Sequence, residues 1–388
     1  MNSKTFSIYL HFPYCAQRCP YCDFNVHVRK DLPESEFIAA LIHEAESKSH
    51  NPEWQNKTLQ SIFFGGGTPS LFSPDSIAKI ISALNSIFKF ASDIEISLEA
   101  NPENISADYS YKLFKTGVNR LSLGVQSLTD SYLQSLGRIH SAEKAKEAVH
   151  FLKQAGFKNI NLDFMFALPQ QTLKDFESDL KSALELQPQH FSFYNLTIEK
   201  GTHFYQQYSQ GKLLLPDDTL ASEMMVFLIK TLAASGYQHY EISNFAITEF
   251  RSVHNQRYWN MQDYLGLGPG AHSAFLAGKL QMKRYANISD PARYIQSPQE
   301  AQAWVDSVEG KNFLFEKLML GLRLRQSFDL SPIIDDLEKE SQLKLLNKVA
   351  EFVREGLLEQ SGNNIITTLS GLLILDSILS EFASCIGL

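Results

Sequence analysis

The first 200 residues are built on one rhythm: short β-type runs alternate with helical patterns, and each run ends in a cluster of polar or glycine residues. That rhythm reads as repeated βα units. The runs lie at 5–12, 59–64, 93–99, 120–125, 159–167 and 190–196, and helices are predicted between them over 34–47, 74–88, 107–116, 142–155 and 173–186. Six such units place the chain in the α/β class and favour a curved parallel sheet, a partial (β/α)6 barrel, over a doubly wound one.

In a barrel of this kind the strand-to-helix loops gather at one rim and form the site there. The chemically unusual residues fall in those loops. The first strand is followed by Cys15, Cys19 and Cys22, the second by Gly65-Gly66-Gly67-Thr68-Pro69, and the third by Glu99-Ala100-Asn101-Pro102. The fourth leads to Gln126, and the fifth carries Asp163 ahead of Leu168-Pro169-Gln170.

After residue 200 the pattern changes. A glycine-rich stretch at 266–272 and a polar-aromatic one at 254–264 predict a cover over the barrel. From about 312, an apolar helical start leads to further helices and a short two-strand stretch ending near 368, the outline of a small winged-helix-like domain. The expected division is a barrel over 1–235, a cover over 236–305 and the winged-helix-like extension over 306–388. A length of 388 residues suits two or three domains of roughly 150 each.

Winged modules often bind DNA, so charge matters here. Residues 301–388 hold eight Lys and Arg against thirteen Asp and Glu, and the whole chain carries −8. That sign argues against phosphate contact and favours a structural or protein-docking role. With 44% hydrophobic and 20% charged residues the composition is that of a soluble globular protein. Residues 1–7 do not resemble a signal peptide, and the apolar stretch after them breaks at His11 and Pro13. A cytoplasmic location is expected.

Cys15-x3-Cys19-x2-Cys22 sits in a loop with Pro13 and Pro20, and spacings this short let three thiolates converge on one inorganic centre. Iron–sulfur cubes are normally held by four cysteine thiolates. Only three are local here, which would leave one iron open. A zinc site remains the alternative, with His11 or His27 as fourth ligand, as does a set of buried structural cysteines. Cys385, near the carboxyl terminus, reads as a free tail thiol.

Residues 8–24, IYLHFPYCAQRCPYCDF, resemble the signature of the radical SAM superfamily, and more narrowly its HemN/HemW branch of coproporphyrinogen oxidases and haem chaperones. The likeness runs along nearly the whole chain. It implies a [4Fe-4S] cluster on Cys15, Cys19 and Cys22, with S-adenosylmethionine (SAM) chelating the open iron. It assigns Tyr9, Gly66, Gly67, Thr68, Glu99, Gln126, Arg138 and Asp163 to SAM, with Tyr21 as a weaker member. The glycines permit close backbone approach, and the acids suit a cationic amino group or ribose hydroxyls. Taken singly, each has an ordinary structural alternative: a tight turn at the glycines, a loop cap at Asp163, a surface ion pair at Arg138.

Two places turn the reading within the branch. The oxidases carry a further cysteine two residues after the third, where this chain has Phe24, and only 14 residues precede Cys15. His254-Asn255-Gln256-Arg257-Tyr258-Trp259 matches an H-N-x-x-Y-W pattern associated with haem binding, which makes His254 the expected haem ligand. The resemblance therefore implies a haem chaperone that hands haem to an acceptor haem protein, with peripheral contact to membrane-bound haem proteins and a monomeric or homodimeric state left open. The alternative is an oxygen-independent coproporphyrinogen III oxidase.

Overall fold

Along the early strands, alternate residues differ in kind. Phe6, Ile8, Leu10 and Phe12 on the first, Leu121, Leu123 and Val125 on the fourth, and Ile160, Leu162 and Phe164 on the fifth are apolar and buried. Between them stand Ser7, Tyr9 and His11, then Arg120, Ser122 and Gly124, then Asn161 and Asp163. Successive strand side chains point to opposite faces. Such a sheet buries one face under helices and encloses a polar interior with the other.

The computed structural model describes residues 4–388 and has this arrangement; the first three residues of the amino-terminal stretch considered above lie outside it. The six expected strands are β1 (Thr5–Phe12), β2 (Thr58–Gly66), β3 (Lys89–Ala100), β4 (Arg120–Gln126), β5 (Ile160–Phe166) and β6 (His190–Asn195). They pair in parallel in that order. Outside them pack α1 (Glu34–Ser49), α2 (Pro74–Ile87), α3 (Ala107–Lys115), the short α4 (Asp130–Ser135), α5 (Ala142–Ala155) and α6 (Leu173–Glu185). Several begin at side-chain caps that satisfy otherwise orphaned N–H groups, among them Ser73, Ser106, Ser141 and the Thr172/Asp175 capping box.

The region expected as a cover instead extends the sheet at both edges. After α7 (His203–Ser209) and α8 (Asp218–Ala234), β7 (Gln238–His239) and β8 (Asn244–Ala246) add antiparallel beside β6. On the other edge β9 (Tyr264–Leu267) pairs in parallel with β1, and β10 (His272–Gly278), β11 (Gln281–Asn287) and β12 (Gln302–Glu309) continue antiparallel from it. The result is one open twelve-stranded sheet ordered β12-β11-β10-β9-β1-β2-β3-β4-β5-β6-β8-β7. Between the two edges the chain passes through α9 (Val253–Trp259), which packs against β2 on its interior side. The buried Glu95 carboxylate holds α9 there by accepting from the N–H groups of Val253 (2.9 Å) and His254 (3.0 Å), the favourable place for a carboxylate at a helix start.

After α10 (Pro291–Gln296) comes a module with its own apolar core. It holds α11 (Gly310–Gly321), β13 (Phe328–Asp329), α12 (Ser331–Ile334), α13 (Lys339–Arg354), β14 (Leu358–Ser361), β15 (Asn364–Thr367), α14 (Leu369–Leu373) and α15 (Leu375–Ile386). Its three strands form a small antiparallel sheet ordered β13-β15-β14. Cys385 lies on α15 against this core and does not line the cavities described below. Among the described residues no helix is long and apolar enough to cross a membrane.

Candidate functional site

The chain leaves β1 at Pro13 and pairs Tyr14–Cys15 with His27–Val28 in a two-residue parallel ladder. This closes the cysteine loop at its neck, helped by bonds from His27 N to Pro13 O (2.6 Å) and Cys22 N to Cys19 O (3.1 Å). The glycine turn after β2 is stitched to the same neck: Gly67 N donates to Phe12 O (2.6 Å) and Thr68 N to Tyr14 O (2.8 Å). A Cβ on Gly67 would fall 2.6 Å from Tyr14 O and 2.8 Å from Phe12 O, both backbone atoms. The approach of the two loops therefore requires glycine at 67.

Cys15, Cys19 and Cys22 line one wall of a cavity of about 350 Å3. Thr68 Oγ1 donates to Cys15 Sγ at 3.4 Å and Arg138 Nη1 to Cys19 Sγ at 3.6 Å, so each of these sulfurs faces a hydrogen-bond donor. Burial nonetheless pushes the Cys15 thiol up to about 11 and raises Cys22. Only coordination to a cationic centre would then make these sulfurs anionic at neutral pH. Among the described residues no three His, Cys, Asp or Glu side chains are gathered around a position for a single metal ion. Three thiols lining one cavity have the donor chemistry of an iron–sulfur cluster.

Glu99 and Asp163 line the same cavity. Burial pushes Glu99 up to about 8, with the nearby charge of Asp163 adding to it and the Gly66 N–H (3.1 Å) opposing it. Asp163 is also raised by burial, against hydrogen bonds from Ser122 (2.8 Å) and Asn161 (2.8 Å). The Arg120 charge opposes the shift at both, yet burial prevails, and two carboxyls held toward their neutral forms on one cavity suit a cationic ligand.

Of the residues expected at SAM, the structure brings Tyr21, Gly66, Gly67, Thr68, Glu99, Gln126, Arg138 and Asp163 to this cavity. Tyr9 is placed elsewhere: its hydroxyl meets His11 Nδ1 at 3.1 Å, and it lines a second cavity on the β9 side. Arg138 does more than line the wall, since its guanidinium reaches Cys19 and also donates to Asn101 Oδ1 (2.6 Å) and Gly124 O (3.0 Å). Sequence reasoning missed Ser122 and Tyr194 as cavity residues. Their signal was the polar phase of β4 and β6.

His254 lies inside the barrel. Its Nδ1 lies 2.9 Å from Ser61 Oγ and its Nε2 2.8 Å from the Tyr258 hydroxyl, and the residue is 1% exposed between Phe63, Tyr9 and Tyr258. Burial holds its pKa down to about 3, with the charges of Arg257 and Arg120 contributing. The imidazole is neutral, and each of its nitrogens faces a hydroxyl. Freeing Nε2 costs the Tyr258 bond, about 1–3 kcal/mol, whereas Ser61 Oγ keeps Ser7 Oγ at 2.6 Å if Nδ1 is released. In this arrangement His254 braces the barrel interior, with Tyr258 between it and the second cavity.

The radical SAM superfamily profile matches residues 9–183, and the HemN C-terminal domain profile matches residues 308–374. The chain is 37% identical to the haem chaperone HemW of Haemophilus influenzae, across 97% of each chain. It belongs to the HemN/HemW branch of the radical SAM superfamily. HemW of Escherichia coli is 33% identical, again across 97% of each chain. Among solved structures, the Escherichia coli coproporphyrinogen III oxidase HemN superposes with a TM-score of 0.82 at 25% identity, covering 98% of this chain and 90% of HemN. Radical SAM membership implies a [4Fe-4S] cluster and SAM. Three thiols and two carboxyls on one cavity fit the pair.

Proposed function

We propose that this protein is a cytoplasmic haem chaperone: it binds haem beside a [4Fe-4S] cluster on Cys15, Cys19 and Cys22, holds SAM between the thiols and Glu99, and passes haem to an acceptor haem protein. The observation that carries the reading is the end-to-end likeness to proteins named haem chaperone HemW. A cluster with one open iron supplies redox chemistry and a chelation site for SAM. The chain's own residues supply the rest. Thr68 and Arg138 donate to the ligand sulfurs, the glycine turn admits close approach, and Glu99 and Asp163 face the cation.

Hemin titration of the anaerobically reconstituted chain tests the function, with one Soret-active haem per chain expected. Failure to bind hemin sinks the reading. The structural likeness to HemN keeps one rival in view. Vinyl-bearing product from coproporphyrinogen III at multiple turnovers, in an anaerobic assay with reductant and SAM, would replace the chaperone with an oxidase.

Glu99 gives this reading a pH signature. With its pKa near 8 in the free protein, Glu99 is largely protonated at pH 7, and a bound cation pulls that pKa down. SAM binding then expels a proton, so affinity rises with pH and levels off above about 8. Calorimetry in buffers of different ionisation enthalpy reads that proton directly. A pH-independent SAM affinity between pH 6 and 9 in the native chain, or an unchanged slope in Glu99→Gln, would remove Glu99 from the cation's environment.

A further inference from the structure

A second cavity of about 440 Å3 opens beside the thiol cavity and shares Phe24, Gly66 and Glu99 with it. Tyr9, Tyr258 and Tyr264 contribute to its lining, as do two histidines, His11 and His272. His11 is closed to ligands: Nδ1 meets Tyr9 and Nε2 lies 2.9 Å from Asn25 O, and the residue is buried. His272 is exposed, and its ring nitrogens make no hydrogen bond to any described residue.

Its surroundings are unusual for a surface histidine. In the β10-β11-β12 ladder His272 pairs with Ala286 and Ala286 with Trp304, so the imidazole and the indole flank one small residue on the same face. Their rings stand 6.1 Å apart, and Trp304 is 45% exposed. Phe24, on the cysteine loop, is 63% exposed at the same mouth. Asn25 fixes that mouth by donating to Pro269 O (3.1 Å) in the glycine turn before His272 and to Ser289 O (3.0 Å). Exposed large aromatics gathered at a cavity mouth mark a ligand surface.

Resting on the haem-chaperone reading, we infer that the second cavity is the haem seat, with His272 as the axial ligand and Trp304 and Phe24 as apolar contacts for the porphyrin. An iron porphyrin needs one neutral nitrogen donor and flat apolar area, and His272 is the cavity histidine with free nitrogens. Partial desolvation at the cavity, with the Arg284 charge beside it, lowers its pKa, which favours the neutral imidazole. A single exposed ligand also suits cargo that must be surrendered. Iron leaves His272 without breaking any hydrogen bond within the protein.

The experiment is hemin titration of the anaerobically reconstituted full chain, followed in the Soret region and by electron paramagnetic resonance, for the native protein, His272→Ala and His272→Cys. The expected result is hemin binding at least about tenfold weaker in His272→Ala. His272→Cys should convert the ferric spectrum to a thiolate-ligated type, with the cluster absorbance of both variants unchanged. A native-type hemin spectrum and affinity in both variants overturn His272 as ligand and leave the chaperone reading standing. Absence of hemin binding by the native chain overturns both. If His272→Ala loses its cluster as well, the Cys variant decides, since a native-type spectrum there overturns the assignment.

Discussion

Replacing Cys19 by alanine leaves a chain that folds but carries no iron–sulfur cluster. Cys19 is one of three thiols on the wall of the main cavity, and among the described residues no fourth thiol lines that cavity to replace it. The nearest basic group, Arg138, then loses its sulfur partner and keeps Asn101 and the Gly124 carbonyl. Iron and acid-labile sulfide should fall at least about tenfold after anaerobic reconstitution. SAM affinity should drop by at least about tenfold with them, a loss of about 1.4 kcal/mol or more, because the open iron that chelates SAM is gone. Cys385→Ala is the matched control, since that thiol lies on α15 in the carboxyl-terminal module. Unchanged iron in Cys19→Ala, or a loss equal to it in Cys385→Ala, would move the cluster off the first loop.

The second large effect is on stability. Glu44 of α1 is fully buried and accepts from Gly268 N (2.9 Å), Asn287 Nδ2 (2.7 Å) and the Tyr294 hydroxyl (2.6 Å). One carboxyl thus ties a crossover helix to the glycine turn, to β11 and to α10. Glu44→Ala leaves three buried donors without this acceptor, and a destabilisation of roughly 3–5 kcal/mol is expected in urea titration.

Burial pushes the Glu44 pKa up to about 7 from 4.5, against the opposing hydrogen bonds. Below 4.5 the carboxyl is protonated in both the folded and unfolded chains. Between 4.5 and 7 only the unfolded chain releases the proton, so stability from this group falls as pH rises, by about 3 kcal/mol in all. Above 7 both states are ionised and the loss is complete. Glu44→Gln should flatten that part of the stability–pH curve while costing less than alanine. An unchanged slope between pH 4.5 and 7 would mean that Glu44 enters the folded state already ionised.

The barrel was legible because its strands repeat one local pattern, apolar toward the helices and polar toward the interior, as in Leu121-Ser122-Leu123 and Ile160-Asn161-Leu162. The edges were not. β7 and β8 are two and three residues long, and β9 contains Gly266, so none carries enough alternation to announce itself. The thiols and the glycine turn could be read locally because their constraint is local. Tyr9 could not be assigned to a cavity, since its inward phase is visible in sequence but the division of the interior into two spaces depends on how β9 closes beside β1. The surroundings of His254 were illegible for a related reason. Glu95, far away in the chain, captures the start of α9 and draws the histidine inside, and no pattern near residue 254 reports that bond.

The wall between the two cavities has a thermodynamic meaning. Phe24, Gly66 and Glu99 face both spaces, so a ligand in one changes the surface, charge and freedom of motion offered to a ligand in the other. Equilibrium linkage makes such an influence mutual: the factor by which a ligand in one cavity alters affinity at the other is the same in both directions. A tenfold factor corresponds to about 1.4 kcal/mol, on the scale of displacing a single hydrogen bond to a charged group. The Glu99 carboxyl, hydrogen-bonded to the Gly66 amide on that wall, is a place where so small an exchange is enough for each site to register whether its neighbour is filled.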